Sequence, residues 1–176
     1  SLKVGPGYEK DSELTPVISQ NQLEKVEGYA RSGIQQGAEA VHGGKRVDRE
    51  GYFMEATVLN NVNKKMTVAR EEIFGPVLSV LEYEEQEEAI SIANDTDYGL
   101  SAGVFTKDLD KASWTASKLE AGQVYVNKWF TGSHATPFGG YKQSGVGRET
   151  HKMMLNHYRQ NKNLHVSYAE NKLGFF

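Results

Sequence analysis

Two stretches of this 176-residue sequence gather the residue types that ligand binding needs. The first is Glu71-Glu72-Ile73-Phe74-Gly75-Pro76. A carboxylate at the mouth of a sheet is a good ribose acceptor, because both of its oxygens take hydrogen bonds from vicinal hydroxyls. An aromatic ring two residues on packs on the same ligand. The plainer alternative is a charged helix end followed by a buried Phe. The second stretch is Pro137-Phe138-Gly139-Gly140-Tyr141-Lys142-Gln143-Ser144-Gly145-Val146-Gly147-Arg148-Glu149. Its glycines allow close approach of backbone to a ligand or to other backbone. The spacing is neither that of a dinucleotide fingerprint nor that of a P-loop, so a tightly turned structural loop is the better reading.

Other chemistries find no support. The five histidines are His42, His134, His151, His157 and His165, and none pairs with another at ligand spacing on one helix face, so no metal site is expected. No serine sits in a nucleophile elbow. The cysteine count is zero, which excludes disulfides, thiolate metal centres and a cysteine nucleophile within this chain. The acidic run from Glu82 to Glu88 lacks flanking histidines and reads as a solvated face leading into a helix.

These stretches need elements to hold them. An amphipathic helix is expected from Val17 to Gln36, with Leu23, Val26, Ala30 and Ile34 on one face, Ser19 or Asn21 as cap and Gly37 as stop. Strands are expected at Ala38–His42, Tyr52–Leu59, Val77–Tyr83, Leu100–Thr106 and Gln123–Asn127. Met66–Glu72 is a short segment between them. Further helices are expected from Glu85 to Asn94, burying Ala89, Ile90 and Ala93, and from Leu109 to Leu119, capped by Asp108. A long loop, Lys128–Gly147, leads to a helix from Arg148 to Tyr158 and a last strand, Asn163–Tyr168. A loop of that length is uncommon unless functional. The alternation argues for an α/β fold with a mostly parallel sheet and flanking helices.

Hydrophobic residues make up 38% and charged residues 24%, the balance of a soluble globular domain. A net charge of -3 gives no reason to expect nucleic acid or an anionic membrane as partner. No apolar stretch approaches the roughly 18 residues that span a bilayer, and no signal peptide is recognised, so a cytoplasmic location is expected. The chain opens on Ser1-Leu2 without a methionine, as part of something longer would.

Five motifs then stand in a telling order. Glu71–Pro76 is followed by Asn94 with Tyr98-Gly99-Leu100-Ser101-Ala102, by Val104-Phe105-Thr106-Lys107-Asp108, by Gly122-Gln123-Val124-Tyr125-Val126-Asn127 and by Pro137–Gly145. This series resembles the C-terminal part of the NAD(P)-dependent aldehyde dehydrogenases. The resemblance implies a partial catalytic domain over residues 1–158 and an oligomerisation strand with a tail over 159–176. It implies that Glu72 holds the nicotinamide ribose and that Phe74 lies beside it. Phe138 would line the aldehyde pocket, with Asn127, Trp129 and Phe130 on the loop that shapes its other wall. Asn163, Leu164, His165, Val166, Ser167 and Tyr168 would add to a partner subunit's sheet, making a homo-oligomer.

The family's cysteine nucleophile lies roughly a hundred residues before the position of Glu72, and so outside this chain. Its general-base glutamate, its oxyanion-binding asparagine and the adenosine and phosphate contacts are also upstream. No catalytic residue is therefore expected here, and the chain alone is expected neither to hold NAD or NADP nor to turn over. Gly147–Leu155 and the ending Leu173-Gly174-Phe175-Phe176 resemble bacterial enzymes acting on acetaldehyde and short aliphatic aldehydes. Lys128-Trp129-Phe130 departs from that pattern, which leaves betaine aldehyde and aminoaldehyde enzymes open; Trp129 and Phe130 suit either a small apolar pocket or a cation cage. The rival reading is a non-catalytic module that joins full-length subunits through its last strand. The open edges and apolar surface of a partial sheet predict an oligomeric or aggregation-prone chain.

Overall fold

The computed structural model describes residues 2–171 and Gly174. Leu173, Phe175 and Phe176, part of the short-aliphatic pattern, lie outside the described residues. The chain divides into two compact units, Ser1–Asp97 with Ser113–Leu119, and Tyr98–Ala112 with Glu120–Phe176.

In the first unit α1 (Gln20–Gln35) starts where Ser19, in an extended conformation, accepts a hydrogen bond at Oγ from the Gln22 amide at 3.2 Å. Leu23, Val26 and Ala30 are buried as the periodicity predicts, but Ile34 is 45% exposed. Gly33 takes the inward position instead, because a Cβ there would lie 3.0 Å from Leu59 Cδ1 and 3.1 Å from Val68 Cγ1. The helix ends at Gly37, whose φ of 108° stops it.

The sheet under α1 has the order β1 (Glu39–His42), β2 (Thr57–Asn60), β3 (Val77–Ser79). The first pair is antiparallel and the second parallel. The strand expected from Tyr52 starts only at Thr57, since Met54 instead bridges Arg46 within the preceding turn. Met66–Glu72 contains a short helix, α2 (Thr67–Arg70). Thr57 is buried without cost, its hydroxyl donating to the Glu55 carbonyl and accepting from the Gly44 amide. Among the described residues ten form the main buried apolar cluster, including Leu23, Val26, Leu59, Val68 and Ile73. The helix α3 (Gln86–Asn94) half-buries Ala89 and Ile90, but Ala93 is exposed, because only one flank of this short helix is covered.

In the second unit β5 (Ser101–Val104) and β6 (Gln123–Val126) pair in parallel, from Ser101 opposite Gln123 to Val104 opposite Val126. They are joined through α4 (Leu109–Lys118), whose first turn is capped by Asp108 Oδ1 on the Lys111 amide at 2.9 Å. The long loop is not structureless: β7 (Tyr141–Lys142) within it pairs antiparallel with β4 (Tyr98–Gly99).

Two expectations fail near the C-terminus. Residues 148–158 do not form an α-helix; a 3-10 helix spans Lys152–Tyr158. Glu149 is held extended by mutual backbone hydrogen bonds with Phe138, and Thr150 and His151 follow in the left-handed region, so helical geometry starts only after them. Asn163–Tyr168 is exposed, has no regular secondary structure, and forms no ladder among the described residues. A strand needs a second edge to exist as one.

Leu59 is fully buried while Leu164 is exposed. Leu59→Ala is expected to lower unfolding free energy by about 2–5 kcal/mol. Leu164→Ala is expected to change it by less than about 0.5 kcal/mol. Urea denaturation of both variants checks the contrast.

Candidate functional site

The segment 71–76 follows α2 and enters β3, and nearly every residue of it is tied down. Glu71 accepts a hydrogen bond from the Tyr29 hydroxyl at 2.6 Å. The carbonyls of Ile73 and Phe74 both accept from Gln22 Nε2, at 3.2 and 3.0 Å. Ile73 is buried in the core. Gly75 lies so close to Val26 that no Cβ fits there. The Pro76 carbonyl accepts from the Thr57 amide at 2.8 Å, which starts the β2–β3 ladder.

What remains free is the pair that the sequence singles out. Glu72 is exposed and makes no hydrogen bond or ion pair among the described residues. Phe74 is 75% exposed, so the reading of a buried Phe is overturned; Ile73 is the buried one. Phe74 also has φ 54°, an uncommon conformation for a bulky side chain that is kept only where its surroundings impose it. Here Gln22 and Gly75 impose it. Sequence reasoning missed Gln22, Tyr29 and Val26 as supports. The signal available was a polar Gln beside the apolar stripe of α1 and a glycine four residues beyond Glu71.

The second unit holds the remaining candidates. Asn127, just past the end of β6, clamps the start of the loop. Its Oδ1 accepts from the Thr106 amide at 2.9 Å, its Nδ2 donates to the Thr106 carbonyl at 2.8 Å, and its own amide donates to Val104. The ladder is thereby extended one residue past each strand, and Asn127 turns the chain with φ 53°. Trp129 folds back on Tyr125, ring centroids 5.7 Å apart, over Gly103. Phe130, at φ 49°, meets Phe138 edge to face at 6.4 Å. Trp129 and Phe130 therefore pack on different partners, Tyr125 and Phe138.

Phe138 is fixed by its bridge to Glu149 and by its neighbours. Gln123 Nε2 donates to the Pro137 carbonyl at 2.8 Å, and Gly122 touches Gly139 so closely that no side chain fits between them. Arg148 Nη1 donates to the Gly140 and Gly147 carbonyls at 3.0 and 2.7 Å. The glycine-rich stretch is thus occupied with its own backbone, as the structural reading expects. Of seven non-glycine residues with positive φ among the described residues, three are candidates read from the sequence: Phe74, Asn127 and Phe130.

Two of the cavities lie in the first unit and contain none of the candidate residues. One, of about 300 Å³, is lined by Lys25, Gly28, Tyr29, Ser32 and Thr67; the other, of about 250 Å³, lies between Val62, Leu81 and Ile92. Among the described residues no group of three or more His, Asp or Glu is placed to hold a metal, and no helix is long and apolar enough to cross a membrane.

The sequence match decides what these features belong to. Residues 1–164 match the aldehyde dehydrogenase family. The chain belongs to that family. An aldehyde dehydrogenase of Paracoccus denitrificans is 45% identical over all of this chain, and acetaldehyde dehydrogenase 2 of Cupriavidus necator is 48% identical over the same extent. Among solved structures, a double mutant of betaine aldehyde dehydrogenase from Staphylococcus aureus, in complex with NAD+, superposes with a TM-score of 0.93 at 41% identity over 99% of this chain. An NAD+ complex of an aldehyde dehydrogenase from Bacillus cereus gives 0.86 at 44% identity over 89%. The chain spans 35% of the Paracoccus protein and 36% of the Staphylococcus one, so its α/β fold is part of an aldehyde dehydrogenase.

Asn127→Ala is expected to remove both side-chain hydrogen bonds to Thr106 and to lower stability by about 1–3 kcal/mol. Hydrogen exchange at the Thr106 amide should speed up, and an unchanged rate would refute the clamp.

Proposed function

We propose that this chain is the C-terminal part of an enzyme that oxidises an aldehyde to a carboxylic acid with NAD(P)+, acting on acetaldehyde or another short aliphatic aldehyde. The observation that carries this reading is the 71–76 segment, where Glu71 is tied to Tyr29 and the carbonyls of Ile73 and Phe74 to Gln22, while the exposed Glu72 carboxylate makes no hydrogen bond among the described residues and the Phe74 ring stands in solvent. The residues fit a nicotinamide riboside: an unpaired carboxylate accepts two hydroxyls and an exposed ring packs beside the sugar. The names of two relatives, acetaldehyde dehydrogenase and fluoroacetaldehyde dehydrogenase, favour a two-carbon substrate over a betaine. The edge-to-face pair Phe130–Phe138 favours an apolar substrate over a cation caged between Trp129 and Phe130.

Aldehyde, water and NAD(P)+ give carboxylic acid, NAD(P)H and a proton. Bound nicotinamide supplies the hydride acceptor. Glu72 fixes the ribose and thereby the ring's distance from the substrate. Phe138 and Phe130 exclude water from the aldehyde's alkyl group. With no cysteine in its 176 residues, the chain has no thiol to attack the carbonyl. By this reading it is inactive alone.

Rate measurements with acetaldehyde and NAD+ test this on the chain and on the protein extended upstream to its relatives' length. Activity is expected only in the longer protein. There, Glu72→Gln should raise KM for NAD+ by about tenfold or more, because a charge-assisted hydrogen bond is lost. Turnover by the cysteine-free chain would sink the proposal.

The exposed segment 163–168 favours a second role. Leu164, Val166 and Tyr168 alternate as exposed apolar residues on an unpaired backbone, as a strand awaiting a partner edge would. We assign it to pairing with another subunit. Val166→Pro removes one ladder donor and should lower the associated fraction at every salt concentration, read by light scattering; unchanged mass would argue against pairing through this segment.

A further inference from the structure

Between Glu149 and Glu170 the chain carries Lys152, Arg159 and Lys162 and no carboxylate, although its net charge is -3. The stretch is exposed except at the half-buried Thr150, His151 and Met154, and Tyr158 in its middle is 75% exposed. Elsewhere, Glu82, Glu84, Glu85, Glu87 and Glu88 place five carboxylates within seven residues, all exposed, around a Tyr83 that is 59% exposed. None of these eight charged side chains makes an ion pair among the described residues. Where the chain forms ion pairs, they lie elsewhere, as at Arg46–Glu27 and Arg70–Asp95.

We propose that the basic strip 152–162 docks on the acidic segment 82–88 of a second copy of this chain. The two surfaces match in charge, and each carries an exposed tyrosine whose ring lies among charged neighbours. A single surface pair contributes little, but three cations facing five carboxylates form a network rather than an isolated pair. In a two-fold dimer the contact is made twice, strip to segment in each direction. The contact is separate from edge pairing by 163–168: the charges steer and orient the approach, and the backbone ladder follows.

Because the attraction is between exposed charges, salt reads it out directly. The Debye length falls from about 30 Å at about 0.01 M salt to about 3 Å at about 1 M. The native chain's mass by light scattering is expected to be larger at the low concentration. The reversal Lys152→Glu/Arg159→Glu/Lys162→Glu and the reversal Glu84→Lys/Glu85→Lys/Glu87→Lys should each lose that salt-sensitive part. Mixed in equal amounts, the two variants should regain it, since each then meets its complement in both directions; that recovery also shows that both remain folded. A mass independent of salt, or a mixture that stays apart, overturns the proposal. So does a strip that binds duplex DNA or phosphatidylserine vesicles while reversal leaves self-association unchanged.

Discussion

The contact between α1 and the 71–76 segment is the constraint from which the candidate site follows. Val26 leaves no room for a side chain at position 75, so only glycine allows the segment to run this close to the helix. Once it does, Gln22 reaches two successive carbonyls and Ile73 enters the core. An extended chain points successive side chains to opposite sides, so burying Ile73 turns Glu72 outward. Phe74 would ordinarily follow that alternation with an unstrained backbone. Instead the turn into Gly75-Pro76 forces it into the left-handed region with its ring in solvent. The packing energy of the core therefore maintains a conformation that Phe74 alone would not choose.

The second unit solves a similar problem by different means. Here no large apolar cluster fixes the candidate residues; backbone pairing does. Parallel β5 and β6 would end at Val104 and Val126, leaving Thr106 unpaired, but Asn127 supplies a side-chain amide that imitates one more residue of ladder. Gly122 against Gly139, and Gln123 on Pro137, then hold the returning chain so that Phe138 comes beside Phe130. Polar side chains thus do in this unit what Leu23, Val26 and Leu59 do in the first.

How much of this is legible in sequence depends on range. The helix α1 is readable to within one residue at its end and three at its start, because its apolar period and Ser19 cap are local. Glu72 and Phe74 are readable as candidates through the ordered motifs. That Ile34 gives way to Gly33 is not readable, since it depends on Leu59 and Val68 approaching from other elements. The helix expected over 148–158 fails for the same reason: Glu149 is captured by Phe138, eleven residues earlier, and no local propensity records that. The strand expected over 163–168 has the right residues but no edge within the described chain. The hydrogen bonds of Asn127 to Thr106 are not readable, because an asparagine at a strand end looks the same whether it faces a ligand or mends a ladder.

The distribution of residue types also separates recognition from chemistry. Ribose recognition and an aldehyde wall can be built from a carboxylate and aromatic rings, all present here, whereas the bond-making step of this family needs a thiolate, and the sequence has none. Binding energy alone does not accelerate a reaction; it does so only when spent on groups that act in the transition state. The sequence supplies residue types of the first kind and lacks the thiol of the second. Its backbone at 163–168 joins no ladder, and its charged side chains at 82–88 and 152–162 form no ion pair, among the described residues. The same physical argument therefore covers catalysis and association: both require groups that these residues do not supply to themselves.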